Sequence, residues 1–360
     1  FHCVLLTLKE AFVEYILQYG LFLAEIATVV VAIIAIVSFF VVIGSKKQHR
    51  KGTLKVTDLA ESYHDKQRVM QQAKMDEAEL KVWHKAFKKQ QKKEQKLSKN
   101  NAKEGRKGVV KPCLYVIDFK GSMDAHEVGA LREEISAILS VAQAGDEVLL
   151  RLESPGGMVH GYGLAAAQLT RLKDKGIKLT AVVDKVAASG GYMMACVADK
   201  IVAAPFAIIG SIGVVAQIPN IHRLLKKNDI DVELHTAGEY KRTLTLLGEN
   251  TDEGREKFKQ DLNETHLLFK SFVHKYRPEL DIDSVATGEY WYGTDAVDKG
   301  LIDEVGVSDD WLISRINDFE VLSVQYILKK KMVERVTGGA MESVDKLMMR
   351  WLQRGKNPLL

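Results

Sequence analysis

Residues 178–215 read KLTAVVDKVAASGGYMMACVADKIVAAPFAIIGSIGVV, and this stretch decides the fold. Two short apolar runs, Lys178–Val183 and Lys200–Ala203, have the length and composition of buried strands. The segment between them is also apolar and follows a Ser-Gly-Gly turn at 189–191, which predicts a short helix entered through a tight turn. A strand, a helix and a second strand in this order are typical of a parallel α/β sheet.

The same alternation of strands and helices extends toward the N-terminus. The runs Cys113–Asp118 and Glu147–Leu152 predict strands, and residues 124–141 and 164–173 have the apolar spacing of helices. The order is therefore strand and helix in turn, ending on a strand. We predict an α/β domain with a largely parallel sheet over residues 109–312.

The apolar run at residues 201–215 has two interpretations. A second membrane span is one, but the run has 15 residues and is interrupted by Pro205, Gly210 and Gly213. A helix needs about 20 apolar residues to cross a bilayer. Buried strands joined by turns are therefore the better interpretation.

A longer apolar run lies near the N-terminus. Residues 26–43 read IATVVVAIIAIVSFFVVI, 18 positions without a charge. This length predicts a transmembrane anchor over residues 21–44, because a cleavable signal peptide has a shorter apolar core and a small-residue cleavage site. Residues 1–20 are interpreted as an N-terminal flank, part of which can precede the native start because the chain begins with Phe1.

A basic segment follows the predicted anchor. Between Lys46 and Lys111 there are 20 Lys and Arg against eight Asp and Glu, whereas the 360-residue chain has a net charge of only +4. We interpret residues 45–108 as a solvated helical spacer, with Trp83 and Phe87 forming a small apolar stripe. A surface that binds anionic lipid is the alternative, and no nucleic acid is expected as a partner.

Two glycine turns follow predicted strands, Ser-Pro-Gly-Gly at 154–157 and Ser-Gly-Gly at 189–191. Such turns can cradle a phosphate, but the chain has neither GxGxxG nor GxxxxGK[ST], so nucleotide binding has weak support. An oxyanion hole beside a nucleophile is the second possibility, and Ser189 is the candidate nucleophile. The alternative for Ser189 is a helix N-cap, which serine commonly provides.

A serine nucleophile needs a base. None of His160, His222 and His235 lies in a sequence setting typical of a catalytic base, and no HExxH motif indicates zinc. Lysine is the other known partner of serine, provided that it is neutral at the working pH. The residues alone do not choose among the many lysines, of which Lys241 is one candidate.

At this point several motifs carry a resemblance. The chain resembles the signal peptide peptidase A family, the S49 serine peptidases, in the order and spacing of five segments: SPGG at 154–157, DKVAASGGYMMACVADKI at 184–201, GSIGV at 210–214, Tyr240-Lys241 and WYGTDAVDKGLIDEVG at 291–306. The resemblance implies a ClpP/crotonase-like domain behind an N-terminal transmembrane helix and a basic helical spacer. It also implies that no metal or organic cofactor is needed.

The resemblance assigns roles to individual residues. Ser189 matches the nucleophile, Lys241 the general base, and Ser211 the serine that orients the lysine. A single domain then carries both members of a Ser–Lys dyad, with the serine first in the sequence. Two backbone N–H groups would form the oxyanion hole: that of Gly190 and that of either Gly156 or Gly157.

The implied function is a membrane-anchored serine endopeptidase. Its substrates would be peptides or unfolded proteins, such as signal-peptide remnants and misfolded or exported proteins, and its copies would form a homo-oligomer. A single-pass location in the bacterial inner membrane is expected. The side is open: basic residues after the anchor indicate the cytoplasm, and the family's work on exported proteins indicates the periplasm.

Two other functions remain as alternatives. The first is a non-catalytic membrane scaffold that binds peptides, and the second is a crotonase-type enzyme acting on acyl-CoA thioesters. An intact Ser189, Lys241 and Ser211 argue against both. Residues 313–360 are predicted to form a helical tail, whose apolar face includes Leu347 and Trp351.

Overall fold

The structure is a computed structural model that describes residues 19–34, 52–103 and 111–328. The chain forms two units, one of residues 1–52 and 328–360 and the other of residues Thr53–Ile327. In the first unit, residues 19–34 form helix α1. None of the helices within the described ranges is both long enough and apolar enough to span a bilayer. The predicted anchor over residues 21–44 continues past the described residues.

The second unit is a mixed α/β domain built on a seven-stranded sheet of order β1-β10-β2-β3-β4-β6-β9. Its pairings from β10 across to β9 are all parallel, which confirms the predicted sheet type. The strands of this sheet are β1 (Gly52–Asp58), β2 (Cys113–Lys120), β3 (Glu147–Glu153), β4 (Lys178–Val183), β6 (Lys200–Ala203), β9 (Glu304–Val305) and β10 (Glu320–Leu328).

A second, three-stranded sheet carries the two segments that hold the candidate serines. Its strands are β5 (Val186–Ala188), β7 (Ile208–Gly210) and β8 (Tyr290–Tyr292). Strand β5 pairs parallel with β7, and β7 pairs antiparallel with β8. The run at 201–215 therefore forms strands β6 and β7 with turns, as predicted, rather than a membrane span.

Ten further helices lie within the described ranges. They are α2 (Leu59–Gln72), α3 (Glu77–Lys103), α4 (Val128–Val141), α5 (Val159–Asp174), α6 (Gly190–Ala195), α7 (His222–Lys227), α8 (Asp252–Tyr276), α9 (Ile282–Val285), α10 (Gly293–Asp298) and α11 (Ser308–Arg315). Polar caps start several of them: Asp58 accepts a hydrogen bond from the Glu61 amide at 2.9 Å, and Thr251 accepts one from the Gly254 amide at 3.1 Å.

The core lies on both faces of the large sheet because side chains alternate along each strand. In β2, Leu114 and Val116 pack in a cluster with residues of α2 and α11, whereas Ile117 and Phe119 belong to the larger cluster with α4, α5, α6 and α8. A parallel strand covered on both faces is apolar throughout, which is why the run from Cys113 was recognisable as a strand.

Two predictions about the ends of the domain need correction. Residues 320–328, placed in the helical tail, form β10, which pairs with β2 in the register Glu320↔Cys113. Residues 52–58, placed in the spacer, form β1 beside β10. The helical tail was predicted from the apolar periodicity at residues 344–352, which lie outside the described residues. The prediction was extended back to residue 313, and it therefore included the residues that form β10. The other predicted domain boundaries stay predictions.

The rest of the described basic segment is helical. Helices α2 and α3 follow β1 directly, and the predicted apolar stripe of α3 is present: the Trp83 and Phe87 rings stack with centroids 5.1 Å apart. The guanidinium of Arg68 in α2 lies 5.1 Å from the Phe87 ring centroid. The cation–π contact thus joins the two helices of this segment, whereas the aromatic stacking lies within α3.

Candidate active site

Ser189 is the single residue between β5 and α6. Its backbone has φ 51° and ψ −118°, a region that non-glycine residues rarely adopt. The conformation is held by the backbone: the Ser189 amide donates to the Gly210 carbonyl at 2.8 Å, and the Ser189 carbonyl accepts from the Met193 amide at 3.0 Å. Strain of this kind costs about 1–3 kcal/mol and is concentrated at functional sites.

The side chain of Ser189 is not a helix cap. Although Ser189 stands at the N-cap position of α6, its hydroxyl makes no capping hydrogen bond to that helix. The alternative interpretation of Ser189 as a capping residue is therefore wrong. The Ser189 hydroxyl is therefore not used in capping, and it lies at the edge of a cavity.

The two glycines after Ser189 allow the turn to pack closely. A Cβ atom added at Gly190 would lie 2.7 Å from the Cβ atom of Tyr162, and one added at Gly191 would lie 3.1 Å from the Cβ atom of Ser154. Contacts this short exclude any side chain. The two glycines are thus required by the contacts of α6 with Tyr162 of α5 and with Ser154 in the turn that follows β3.

The Ser-Pro-Gly-Gly turn lies against the Ser189 turn. The Ser154 amide donates to the Val186 carbonyl at 2.8 Å, and the Ala188 amide donates to the Ser154 carbonyl at 3.0 Å. Beyond this bridge, Gly156 has φ +87° and sits so close that an added Cβ would be 2.7 Å from the Cβ of Ser189. The structure therefore brings together two turns that are about 35 residues apart in sequence.

An apolar cavity of about 200 Å³ opens at these turns. Ser189, Gly157 and Gly190 form part of its wall. Its floor and far side are formed by side chains from α5, α6, α8 and the segment after β7: Val159, Met193, Val214, Leu268, Phe269 and Phe272. A cavity with this lining suits an apolar side chain, because it offers few hydrogen-bonding groups to a polar one.

Ser211 lies next to Ser189 in the small sheet. Strands β5 and β7 end at the register pair Ala188↔Gly210, so each serine follows one member of that pair. Ser211 also has a positive φ, 52°, and its amide donates to the Glu289 carbonyl at 2.7 Å. Its hydroxyl is 3.5 Å from the Gly288 carbonyl, a long hydrogen bond that leaves the hydroxyl nearly uncommitted.

Lys241 lies elsewhere in the described chain. It belongs to the irregular segment between α7 and α8, its side chain is exposed, and its amide donates to the Gly238 carbonyl at 3.2 Å. Lys241 is not among the residues that line the cavity. The structure thus groups Ser189 with the three predicted glycines and places the predicted base on a separate exposed segment.

The two cysteines of the described residues, Cys113 and Cys196, are not among the residues that line the cavity. Burial raises the pKa of the Cys113 thiol to about 11 and raises the pKa of Cys196 as well, so both thiols stay protonated. Within the described ranges, no group of three or more His, Cys, Asp or Glu side chains is arranged to hold a metal ion.

Sequence reasoning missed one residue of the site. Tyr162 on α5 is fully buried, its ring packs under Gly190, and its hydroxyl lies 2.6 Å from the hydroxyl of Ser154. Within an apolar helix this tyrosine looks like an ordinary core residue. Only its place eight residues after Ser154, one turn into the following helix, could have suggested contact with the glycine turn.

Comparison with known proteins defines the class: the chain belongs to peptidase family S49. Residues 14–169 match the family described as Peptidase family S49 N-terminal, and residues 171–319 match Peptidase family S49. The family resemblance inferred from the sequence motifs is therefore confirmed. The mixed α/β fold with its large sheet is that of the peptidase domain of this family.

The relatives point to one kind of protein within the family. The chain is 54% identical over 341 residues to "Probable protease SohB" of Haemophilus influenzae, an alignment that covers 92% of this chain and 95% of the relative. It is 53% identical to the protein of the same name from Buchnera aphidicola subsp. Schlechtendalia chinensis, covering 84% and 100%. For Buchnera aphidicola subsp. Acyrthosiphon pisum the identity is 52%, covering 93% and 97%.

Proposed function

We propose that the chain is a serine endopeptidase that hydrolyses peptide bonds through an acyl-enzyme on Ser189. One observation carries the proposal: Ser189 is held at φ 51° in a turn that lines an apolar cavity and abuts a glycine turn. A strained serine with an uncapped hydroxyl, beside backbone N–H groups, suits a nucleophile with an oxyanion hole. Membership in a peptidase family supports the same chemistry.

The reaction begins with proton transfer. Neutral Lys241 takes the hydroxyl proton as the Ser189 oxygen forms a bond to the peptide carbonyl carbon, and the carbonyl electron pair moves to oxygen. Collapse of this tetrahedral species breaks the C–N bond, and the protonated lysine gives its proton to the leaving amine. Water then hydrolyses the ester by the same steps. The exposed segment that carries Lys241 must approach Ser189 for this transfer, and we assign to Ser211 the role of orienting the lysine.

One of the glycines that the resemblance implies for the oxyanion hole has an N–H group that is already used in another hydrogen bond. The Gly156 amide already donates to the Ser154 hydroxyl at 3.1 Å. Gly157 lines the cavity and Gly190 begins α6, where the first N–H groups of a helix have no intrahelical acceptor. We therefore assign the two oxyanion donors to Gly157 and Gly190.

The proposed substrates are peptides or unfolded segments with an apolar residue beside the bond that is cut. The lining of the cavity by Val159, Leu268 and Phe272 supports this preference. Remnants of signal peptides and misfolded or exported proteins have such segments. A lipid bilayer is proposed as a further partner through the apolar run at residues 21–44, which would anchor the chain in the bacterial inner membrane.

A homo-oligomer is proposed as well. The stretch between β7 and α8, which includes α7, exposes large apolar side chains, among them Val215, Leu224 and Leu234, which are 90%, 59% and 52% exposed. Apolar side chains grouped on one segment are typical of a surface that packs against another protein. Contact with a second copy of the chain would remove them from water.

The test is cleavage of unfolded casein and a series of apolar peptides by the detergent-purified full chain. Ser189→Ala and Lys241→Ala should each lower kcat/KM by several orders of magnitude, as loss of one member of a catalytic unit does. Lys227→Ala, an exposed lysine of α7, is the matched control and should cleave normally.

Three results would change the proposal. Normal cleavage by Lys241→Ala would remove the lysine from its role as base. Normal cleavage by Ser189→Ala would end the assignment of the nucleophile. A folded full chain that neither cleaves peptides nor reacts with a fluorophosphonate at Ser189 would support the non-catalytic scaffold instead.

A further inference from the structure

A chain of hydrogen bonds runs from the glycine turn into the core. The Gly156 amide donates to the Ser154 hydroxyl at 3.1 Å, the Ser154 and Tyr162 hydroxyls are 2.6 Å apart, and the Tyr162 hydroxyl donates to the Ser122 carbonyl at 2.8 Å. Ser154 and Tyr162 are both fully buried. Water therefore does not compete for the two bonds that the Ser154 hydroxyl makes, which are both buried.

Only one arrangement of protons satisfies the whole chain. A carbonyl oxygen can only accept, so the single proton of Tyr162 goes to Ser122. The Ser154 proton must then be donated to the Tyr162 oxygen, and the Ser154 oxygen is left as the acceptor for Gly156. Every donor and acceptor in the chain is used once, which holds the turn in one conformation.

The same tyrosine supports the nucleophile turn. An added Cβ at Gly190 would lie 2.7 Å from the Cδ2 atom of the Tyr162 ring, so ring and glycine are in direct contact. Ser154 also contacts that turn, through the bond from the Ala188 amide to its carbonyl at 3.0 Å. Ser154 and Tyr162 thus each contact both turns: Ser154 through its carbonyl and its hydroxyl, and Tyr162 through its ring and its hydroxyl.

We propose that Ser154 and Tyr162 are positioning residues that set the distance between the Ser189 oxygen and the oxyanion donors. By holding the Gly156 amide, they fix the orientation of the next peptide, so that Gly157 presents its N–H to the cavity. The inference rests on the proposed serine peptidase function. It adds two residues that contact neither the substrate nor the reacting atoms.

The expected effect is a loss in kcat. A displacement of about 1 Å at a catalytic group costs about 100-fold in rate, and loss of one oxyanion donor costs about 100- to 1,000-fold. Ser154→Ala and Tyr162→Phe should each lower kcat by about 10- to 100-fold and leave KM within about threefold. The double variant should be no worse than the poorer single variant, because each breaks the same chain.

The experiment compares these variants with the parent full chain in detergent. Initial rates on one apolar peptide give kcat and KM, a peptide boronate gives the affinity for a tetrahedral adduct, and thermal unfolding reports the fold. Boronate affinity should fall by the same factor as kcat, because the adduct needs the oxyanion hole and the bound substrate does not.

Tyr192→Phe is the matched control. Tyr192 is equally buried, and its hydroxyl donates to the Leu301 carbonyl at 2.8 Å, a bond that touches neither turn. This variant should lose stability and keep kcat. If Ser154→Ala fails to fold, Tyr162→Phe still decides the matter, since it retains the ring under Gly190.

The outcomes separate the two proposals. If the parent cleaves and folded Tyr162→Phe has kcat and boronate affinity within about twofold of it, the positioning role is wrong while the peptidase function stands. A change in KM alone would also reject the role. If the parent neither cleaves nor binds the boronate, the peptidase function fails and the inference fails with it.

Discussion

Ser189 and Ser211 follow the ends of two neighbouring parallel strands and share a positive φ, 51° and 52°. The Ser189 amide donates to the carbonyl of Gly210, the residue just before Ser211. Each positive φ would be relaxed by glycine, so two adjacent serines in this conformation cost stability that the fold does not need. A chemical role for the two hydroxyls at the ends of these strands would account for serine rather than glycine at both positions.

The strain at Ser189 can be measured by comparing two substitutions. Ser189→Gly and Ser189→Ala both remove the hydroxyl, but only glycine relaxes the backbone. We expect Ser189→Gly to be more stable than Ser189→Ala by about 1 kcal/mol, a difference of about 2–4 °C in Tm. Thermal unfolding of the two inactive variants tests this. Equal melting temperatures would show that the turn is not strained.

The close approach of Gly156 to Ser189 leads to a second prediction. Gly156→Ala adds a Cβ at φ +87° that lies 2.7 Å from the Ala188 carbonyl oxygen. Left-handed strain costs about 1–2 kcal/mol and overpacking a further 1–3 kcal/mol. We expect destabilisation of about 2–5 kcal/mol and loss of cleavage, measured by urea unfolding and peptide assay.

Gly176→Ala separates strain from contact in that experiment. Gly176 has φ +72°, and an added Cβ would meet no atom within 4 Å. This variant should therefore lose only the strain energy, about 1–2 kcal/mol, and cleave normally. A loss at Gly156→Ala no larger than the one at Gly176→Ala would contradict the packing of the two turns.

The cavity should set the size of the residue that is accepted. Gly163 lines the cavity from α5, and an added Cβ meets nothing within 4 Å. Gly163→Leu should fill the space, lowering kcat/KM for peptides with Leu or Phe at the cut by about 10- to 100-fold relative to Ala. A peptide series with one varied position measures this ratio.

Gly129→Leu is the control for the helix. Gly129 is an exposed glycine of α4, and the space beside it is also open. Both substitutions should raise stability by up to about 1 kcal/mol, because glycine is a poor helix former. Only Gly163→Leu should change the preference for peptides. An unaltered preference would mean that the substrate side chain binds elsewhere.

Stability should depend on pH through Glu134. Burial raises the pKa of this α4 carboxyl from 4.5 to about 7, opposed by a hydrogen bond from the Tyr326 amide and assisted by the negative charge of Asp118. The folded state thus binds the proton more tightly than the unfolded chain. Stability is then full below about pH 4.5 and is lost as the pH rises toward 7.

Glu134→Gln should remove this dependence. The neutral amide resembles the protonated acid and keeps an oxygen for the Tyr326 amide. We expect the variant and the parent to be equally stable at pH 4.5, and the variant to be more stable at pH 8 by up to a few kcal/mol. Urea midpoints at both values give the difference. Glu133→Gln, at the adjacent residue of α4 whose side chain is 45% exposed, serves as the control for removing a carboxylate from this helix.

Much of the fold was predictable because buried parallel strands are apolar on both faces. The runs at Cys113, Glu147, Lys178 and Lys200 became β2, β3, β4 and β6, in parallel pairing as expected. Strand β10 was not predicted. Its residues show neither an all-buried run nor a regular alternation of burial, and the strand pairs with β2, a partner about 200 residues away in sequence.

The candidate site, like the fold, was predictable only in the features that depend on residues close together in the sequence. The glycine turns and Ser189 were recognised in the sequence, since few residues can follow a strand in so tight a turn. The sequence could not show that Gly156 is already engaged by Ser154, that Tyr162 completes the chain of hydrogen bonds, or that Lys241 lies on an exposed segment.

The division has a physical reason. Local order, such as strand runs, helix spacing and turn glycines, depends on neighbours within a few residues, so the sequence by itself determined the family, the parallel sheet and the Ser-Gly-Gly turn at Ser189. The cavity, the strain at Ser189 and the contact of Tyr162 with Gly190 depend on atoms distant in the chain. Only tertiary packing brings those atoms within contact distance, and packing alone decided them.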